Sequence, residues 1–219
     1  SKANLDALRA APAIAGLTEA LQGLSAPRWN ATLKRLADCR LLEADVKTGG
    51  LDAYPLVREY FADRLAQGMP KAWREGHRRL YEQLKRNTPY RPDTLEGLQP
   101  LYQAVVHGCK AGLYQEAYNE VYFDRILRGA GYDGFYSTRM LGAIGADLRA
   151  VACFFVEPWR RLAPTLAEGH QSWLLNEAAS RLRALGRLTE ALEPMRVGVE
   201  MRVKQHDWDN AADSYDNLS

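Results

Sequence analysis

Apolar residues recur at helical spacing along most of this chain. Leu17, Ala20, Leu21 and Leu24 follow the i, i+3, i+4, i+7 stripe of a buried helical face. Trp29, Leu33, Leu36 and Ala37 repeat the stripe, with Ser25 placed to cap the helix and Pro27 in its first turn. The period then falls to two. Ala44 and Val46 alternate with polar neighbours, Thr48-Gly49-Gly50 supplies a turn, and Leu51 and Ala53 alternate again, which predicts a hairpin. Pro55 opens a further helix with the face Leu56, Val57, Tyr60, Phe61 and Leu65, ended by Gly68 and Pro70.

From residue 70 onward the pattern predicts helices throughout. Trp73, His77, Leu80, Tyr81 and Leu84 form one stripe, and Leu98, Leu101, Tyr102, Val105 and Cys109 form the next. Gly112 breaks that helix, and Ala117, Val121 and Leu127 lie on the one after it. Leu141, Ile144, Leu148, Val151 and Phe155 make another face, followed by Leu174, Ala178, Leu182 and Leu185. Loops fall at Asn87–Asp93, at Gly129–Gly134 and between Pro158 and Pro164. Asp93 with Glu96, and Thr165 with Glu168, have the spacing of helix N-caps.

Two turns resemble one another. Gly112-Leu-Tyr-Gln-Glu-Ala117 matches Gly186-Arg-Leu-Thr-Glu-Ala191, and small residues (Ala104; Ala178 and Ala179) stand 12 or 13 positions before each alanine. Glycine permits the tight turn, and small side chains let the two helices of a hairpin approach closely. The alanines are 74 residues apart, near two periods of a tetratricopeptide-like repeat of roughly 34 to 40 residues. A degenerate unit near residues 135–157 would fill the gap, and Asp207–Ala212 would begin another helix.

Composition narrows the function classes. The 219 residues carry 29 basic and 27 acidic side chains, a net charge of +2, so no broad basic field favours nucleic acid. No apolar run approaches the ~20 residues of a membrane-spanning helix, and the first residues lack a signal-peptide pattern. Cys39, Cys109 and Cys153 have no zinc or disulfide spacing, which predicts a reduced, cytoplasmic protein with cysteines as small apolar side chains. The chain reads as a fragment, beginning in a polar segment and stopping inside a helical pattern.

Three stretches carry a resemblance: Leu51-Asp-Ala-Tyr-Pro-Leu-Val-Arg-Glu-Tyr-Phe61, Ala72-Trp-Arg-Glu-Gly-His-Arg-Arg-Leu-Tyr81 and Asp93-Thr-Leu-Glu-Gly-Leu-Gln-Pro-Leu-Tyr-Gln103. With them the chain resembles the region that follows the nucleotide-binding core in bacterial signal-transduction ATPases of the NB-ARC/NACHT (STAND) type. The resemblance implies a mainly α fold, with a small winged-helix domain at 1–68 and a tetratricopeptide-like helical hairpin array at 69–219. It also implies ATP or ADP on an upstream nucleotide-binding domain in cis, a protein trigger on the array, and self-assembly on activation. In that family a histidine before the proline-leucine of the helix start faces the nucleotide. Tyr54 stands there in this chain, a hydrogen-bond donor that cannot become cationic. No Gly-x-x-x-x-Gly-Lys-Ser/Thr loop occurs in the sequence, so the chain by itself is expected to be non-catalytic and to hold no cofactor or metal.

Other constellations give little chemistry. His107 and Cys109 are two apart on a predicted helix and do not face each other, which suits a surface histidine and a core cysteine better than a nucleophile pair. The four histidines lack metal-ligand spacing. Arg28, Lys34 and Arg35 would meet phosphates if the winged helix bound DNA, but no polar set for reading bases accompanies them. Arg74, Arg78 and Arg79, with Lys85 and Arg86, form a denser basic face for an acidic partner or for solvent. Tyr132, Phe135 and Tyr136 make an aromatic loop suited either to holding a partner or to plugging a helical layer. Trp159, Trp173 and Trp208 read as wedges between helices. The expected function is binding and relay, with a DNA-binding regulator or a plain interaction scaffold as alternatives.

Overall fold

The computed structural model describes residues 2–44 and 50–204. Within them the chain is mainly helical, with short antiparallel strand pairs. It divides into two compact units, residues 1–83 and 84–219.

The first unit holds helices α1 (Lys2–Arg9), α2 (Ala26–Asp38) and α3 (Pro55–Gly68) and most of α4 (Pro70–Asn87). Strands β1 (Glu43–Ala44) and β2 (Leu51–Asp52) pair antiparallel, Glu43 opposite Asp52 and Ala44 opposite Leu51. The hairpin expected before Pro55 is therefore present. Its turn, with Val46 and Thr48-Gly49, lies outside the described residues. Trp29 is buried on α2, and Ala72, His77 and Tyr81 are buried along α4. The helix expected through Leu17 and Leu24 does not form. Gly16 and Gly23 take left-handed φ of 78° and 72°, leaving only a 3-10 turn at Glu19–Leu21. Nor does α3 bury its predicted face: Leu56 is 81% exposed, Phe61 60%.

The second unit is built on α5 (Leu95–Ala111), the one-turn α6 (Tyr114–Glu116) continuing into a π-helix (Ala117–Leu127), α7 (Tyr136–Arg139), α8 (Ile144–Ala152), α9 (Glu168–Ala184) and α10 (Leu188–Lys204). The five-residue stripe expected on α5 is buried throughout. The helix after Gly112 is wider than expected. Its end is closed by Arg128 N–H donating to the Phe123 carbonyl, five residues back. Extra residues per turn stack Ala117 with Val121 and Tyr118 with Tyr122, and all four are buried. Arg125, on the same buried side, donates to the carbonyls of Lys85 (2.8 Å), Thr88 (2.9 Å), Pro89 (3.0 Å) and Tyr90 (2.8 Å). It thereby satisfies the last turn of α4 and the loop behind it.

The two similar turns use the same devices. Gly112 and Gly186 have φ of 85° and 72°, and Ala104, Ala117, Ala178 and Ala191 are all buried. Around the second turn, Leu148, Leu182 and Ala191 form a core against which Trp159 and Met195 pack.

Several local expectations are corrected. The N-cap of α5 is Thr94, whose Oγ1 accepts from Gly97 N (3.1 Å), because Asp93 is held by Arg128 at 2.9 Å. Helix α9 starts at Glu168 after Ala167, whose N–H donates to Gln115 Oε1 (2.8 Å), so Thr165 and Glu168 form no capping box. The segment between Pro158 and Pro164 is part of a strand pair, not only a loop. β3 (Phe155–Glu157) and β4 (Arg161–Leu162) pair across a turn with Trp159 at φ 60°, and Phe154, not Phe155, is the fully buried residue. Leu185 is 42% exposed beyond the end of α9. His107 is half-buried rather than on the surface, and burial lowers its pKa to about 4. Cys109 is buried as expected, but Cys39 is exposed.

Candidate functional site

The chemistry of the second unit gathers around one carboxylate. Asp147, on α8, is fully buried. It accepts hydrogen bonds from Tyr122 Oη of the π-helix (2.8 Å), from Ser137 Oγ of α7 (3.0 Å) and from Arg181 Nε of α9. Three helical segments therefore converge on its two oxygens. Arg181, itself 5% exposed, reaches back with Nη1 to the carboxylate and the carbonyl of Glu177, one turn earlier on α9. Its third nitrogen, Nη2, is buried without a hydrogen bond among the described residues.

Burial opposes each charge, and the partners offset that to different degrees. Burial works against the charge on Arg181, but the neighbouring carboxylates of Asp147 and Glu177 raise its pKa, so it stays cationic. Burial pushes the Glu177 carboxyl above its ordinary range although Arg181 pulls it down. Tyr122 is held neutral by burial and by Asp147, so its hydroxyl donates.

α7 joins this cluster to the surface. The loop before it begins at Arg128 (φ 62°) and ends at Phe135 (φ 57°), two non-glycine residues in the left-handed region. Gly134 is required between them: a Cβ there would stand 2.3 Å from the Gly129 carbonyl oxygen. Tyr136 Oη donates to the Asp93 carbonyl (3.1 Å), Arg128 stacks 3.4 Å from the Tyr136 ring centre, and Phe135 stacks on Trp173. Tyr132, at the tip, is 98% exposed, and Met140 is 72% exposed. A cleft of about 560 Å³ opens here between Arg91, Arg128, Tyr132, Tyr136, Arg139 and Met140. A second cleft, about 250 Å³, is bounded by Thr138 and Arg139 and by Glu177, Ser180 and Arg181 of α9.

The structure brings Tyr132, Phe135 and Tyr136 together on this loop. The other sequence-derived candidates lie in the first unit. Tyr54 is the N-cap residue of α3, its hydroxyl beside Glu43, which raises the phenol's pKa. Arg78 pairs with Glu75 at 2.7 Å. Arg79 is turned inward to the carbonyls of Leu8, Ala10 and Pro12, so its charge organises α1 and the turn after it. Arg74 is exposed.

Asp147, Glu177 and Arg181 escaped the sequence reading. A signal was available: each interrupts a helical stripe of apolar residues, Asp147 beside Leu148 and Arg181 beside Leu182, where a solvated residue would break the buried face. Among the described residues no group of histidine, cysteine and acidic side chains is disposed to hold a metal ion, and no helix is long and apolar enough to cross a membrane. No family model matches the chain, and neither a curated protein nor a solved structure is recognisably similar to it.

Proposed function

We propose that the chain is a non-catalytic regulatory region of a STAND-type signalling NTPase. It binds a protein trigger on its tetratricopeptide-like hairpins and relays that contact, through a winged-helix hinge, to an upstream nucleotide-binding domain. The observation that carries this reading is Ser137. It lies on α7, directly after the exposed aromatic loop, and its hydroxyl is bonded to the buried Asp147 that also holds the π-helix and α9. A partner seated on Tyr132 and Met140 would shift α7, and α7 cannot shift without disturbing that carboxylate. The left-handed Arg128 and Phe135 at the loop's ends support the same reading, since local backbone strain concentrates in clamps and switches. In the first unit, the exposed Leu56, Tyr60 and Phe61 of α3 give the nucleotide-binding domain an apolar surface to dock on.

Relay requires the trigger to prefer one state over the other, because equal affinity shifts nothing. The test uses the full-length gene product. Ser137→Ala cuts the loop from Asp147 and is expected to change the rate of ADP release, within the roughly 5- to 150-fold range of allosteric couplings. An unchanged rate, or a full-length product with no P-loop domain, would end the proposal. Salt-dependent retention of duplex DNA through Arg28, Lys34 and Arg35 would favour a transcriptional regulator instead.

A further inference from the structure

The first unit carries a ridge of cations that the fold leaves unpaired. Arg9 is engaged by Asp6 and the Leu24 carbonyl, Arg58 by Asp52, and Arg78 and Arg79 by Glu75. Arg28, Lys34 and Arg35 of α2, and Arg40 just beyond its end, are exposed instead. Their side chains make no hydrogen bond or ion pair among the described residues. The packing of α2 places them outside. Trp29 is buried on the inner face, with Leu33 and Leu36 half-buried beside it. Positions 28, 31, 34, 35 and 38 therefore share the outer face of the helix. Arg28 and Arg35 are about 10 Å apart along its axis. Ala31, between them, is too small to hold a partner surface away. Asp38 is the carboxylate of the ridge, so four cations stand against one anion, a net charge of +3. Leu41, next to Arg40, is 40% exposed.

We propose that this ridge holds the chain reversibly on a bilayer surface of anionic phospholipid. Arg28, Lys34, Arg35 and Arg40 donate to lipid phosphates at headgroup level, and no segment enters the hydrocarbon. Each cation near such a surface gains about fivefold in partitioning. These four gain it without giving up an internal pair, which Arg58 or Arg78 would have to break. A nucleic-acid duplex also offers phosphates, but the ridge brings no set of polar side chains to read base edges. Its phosphates are fixed as well, so a groove closing on α2 would press them against Asp38. Lipids diffuse in the plane, and an uncharged headgroup can settle opposite that carboxylate.

Sedimentation of the chain with phosphatidylcholine vesicles containing about 30% phosphatidylglycerol, against pure phosphatidylcholine, tests the proposal. Binding is expected to the anionic vesicles alone, and to fall at least about tenfold between about 0.1 M and about 0.5 M salt as screening shortens. Arg28→Gln/Lys34→Gln/Arg35→Gln is expected to weaken it about 100-fold, three factors of about five. Circular dichroism stays unchanged, because none of the three side chains has a contact to lose. The same charge removed from the second unit, in Arg160→Gln/Arg187→Gln/Arg196→Gln, is expected to leave binding within about twofold. The proposal is overturned if anionic vesicles capture nothing up to ~1 mM lipid, if pure phosphatidylcholine binds equally, or if the two triple variants behave alike. A duplex of about 20 base pairs that binds at least about tenfold more tightly than the vesicles would overturn it too, and give the ridge to nucleic acid. The inference is independent of the relay reading: vesicle binding with no effect of Ser137→Ala on ADP release keeps the surface and removes the relay.

Discussion

Helices α3 and α9 are alike in sequence character and opposite in environment. Each carries an apolar stripe interrupted by polar and charged residues. α3 nevertheless buries none of its residues, and leaves Leu56, Tyr60 and Phe61 in solvent. α9 buries eight, among them Glu177 and Arg181. The difference lies in the neighbours each helix has within its own unit. α9 packs between α8 and α10, and its two charged residues are tolerated because Asp147 and the helix's own carbonyl answer them. α3 follows a two-residue strand and has little to pack on. Whether a side chain is buried is thus a property of what the chain brings beside it, and a buried charge is sustained only as part of a set.

The sharpest way to break this contrast is to remove one member of the set. Asp147→Asn leaves Arg181 without its full counter-charge and is expected to destabilise the second unit by about 3–5 kcal/mol in urea unfolding. A loss below about 1 kcal/mol would mean that the cluster is solvated like a surface pair. Next in size is Gly112→Ala. The added methyl meets nothing within 4 Å, so its effect is purely conformational. At φ 85° it should cost about 1–2 kcal/mol, the penalty of the left-handed region.

Glu177 gives a smaller, pH-dependent effect with a definite sign. Its native pKa is raised above the ordinary 4.5, so its contribution is fully present below the unfolded pKa and fades as pH rises through the native value. The stability of wild type relative to Glu177→Gln should therefore fall between acidic and neutral pH. A difference that grows with pH would show that attraction to Arg181 outweighs burial. The smallest effects belong to α3. Leu56→Ser and Phe61→Ser are expected to stay within about ±0.5 kcal/mol, and a loss above about 1.5 kcal/mol in thermal unfolding would show that this face is packed after all.

The sequence by itself determined the local events. Proline after a two-residue period places the start of α3 at Pro55, and the two glycine turns place the ends of α5 and α9. The stripe from Leu98 to Cys109 specifies one buried face. These follow from backbone sterics and side-chain periodicity within a few residues. The loop residues Tyr132, Phe135 and Tyr136 were also legible, as an aromatic cluster between glycines. Only the tertiary structure decided the rest. Arg79 and Arg125 look like surface cations in sequence and become caps for distant carbonyls. Asp147 meets Arg181 across 34 residues, and the apolar face of α3 stays uncovered. Pairing a charge, or covering a face, depends on which segments the fold brings together, and no short-range pattern records that.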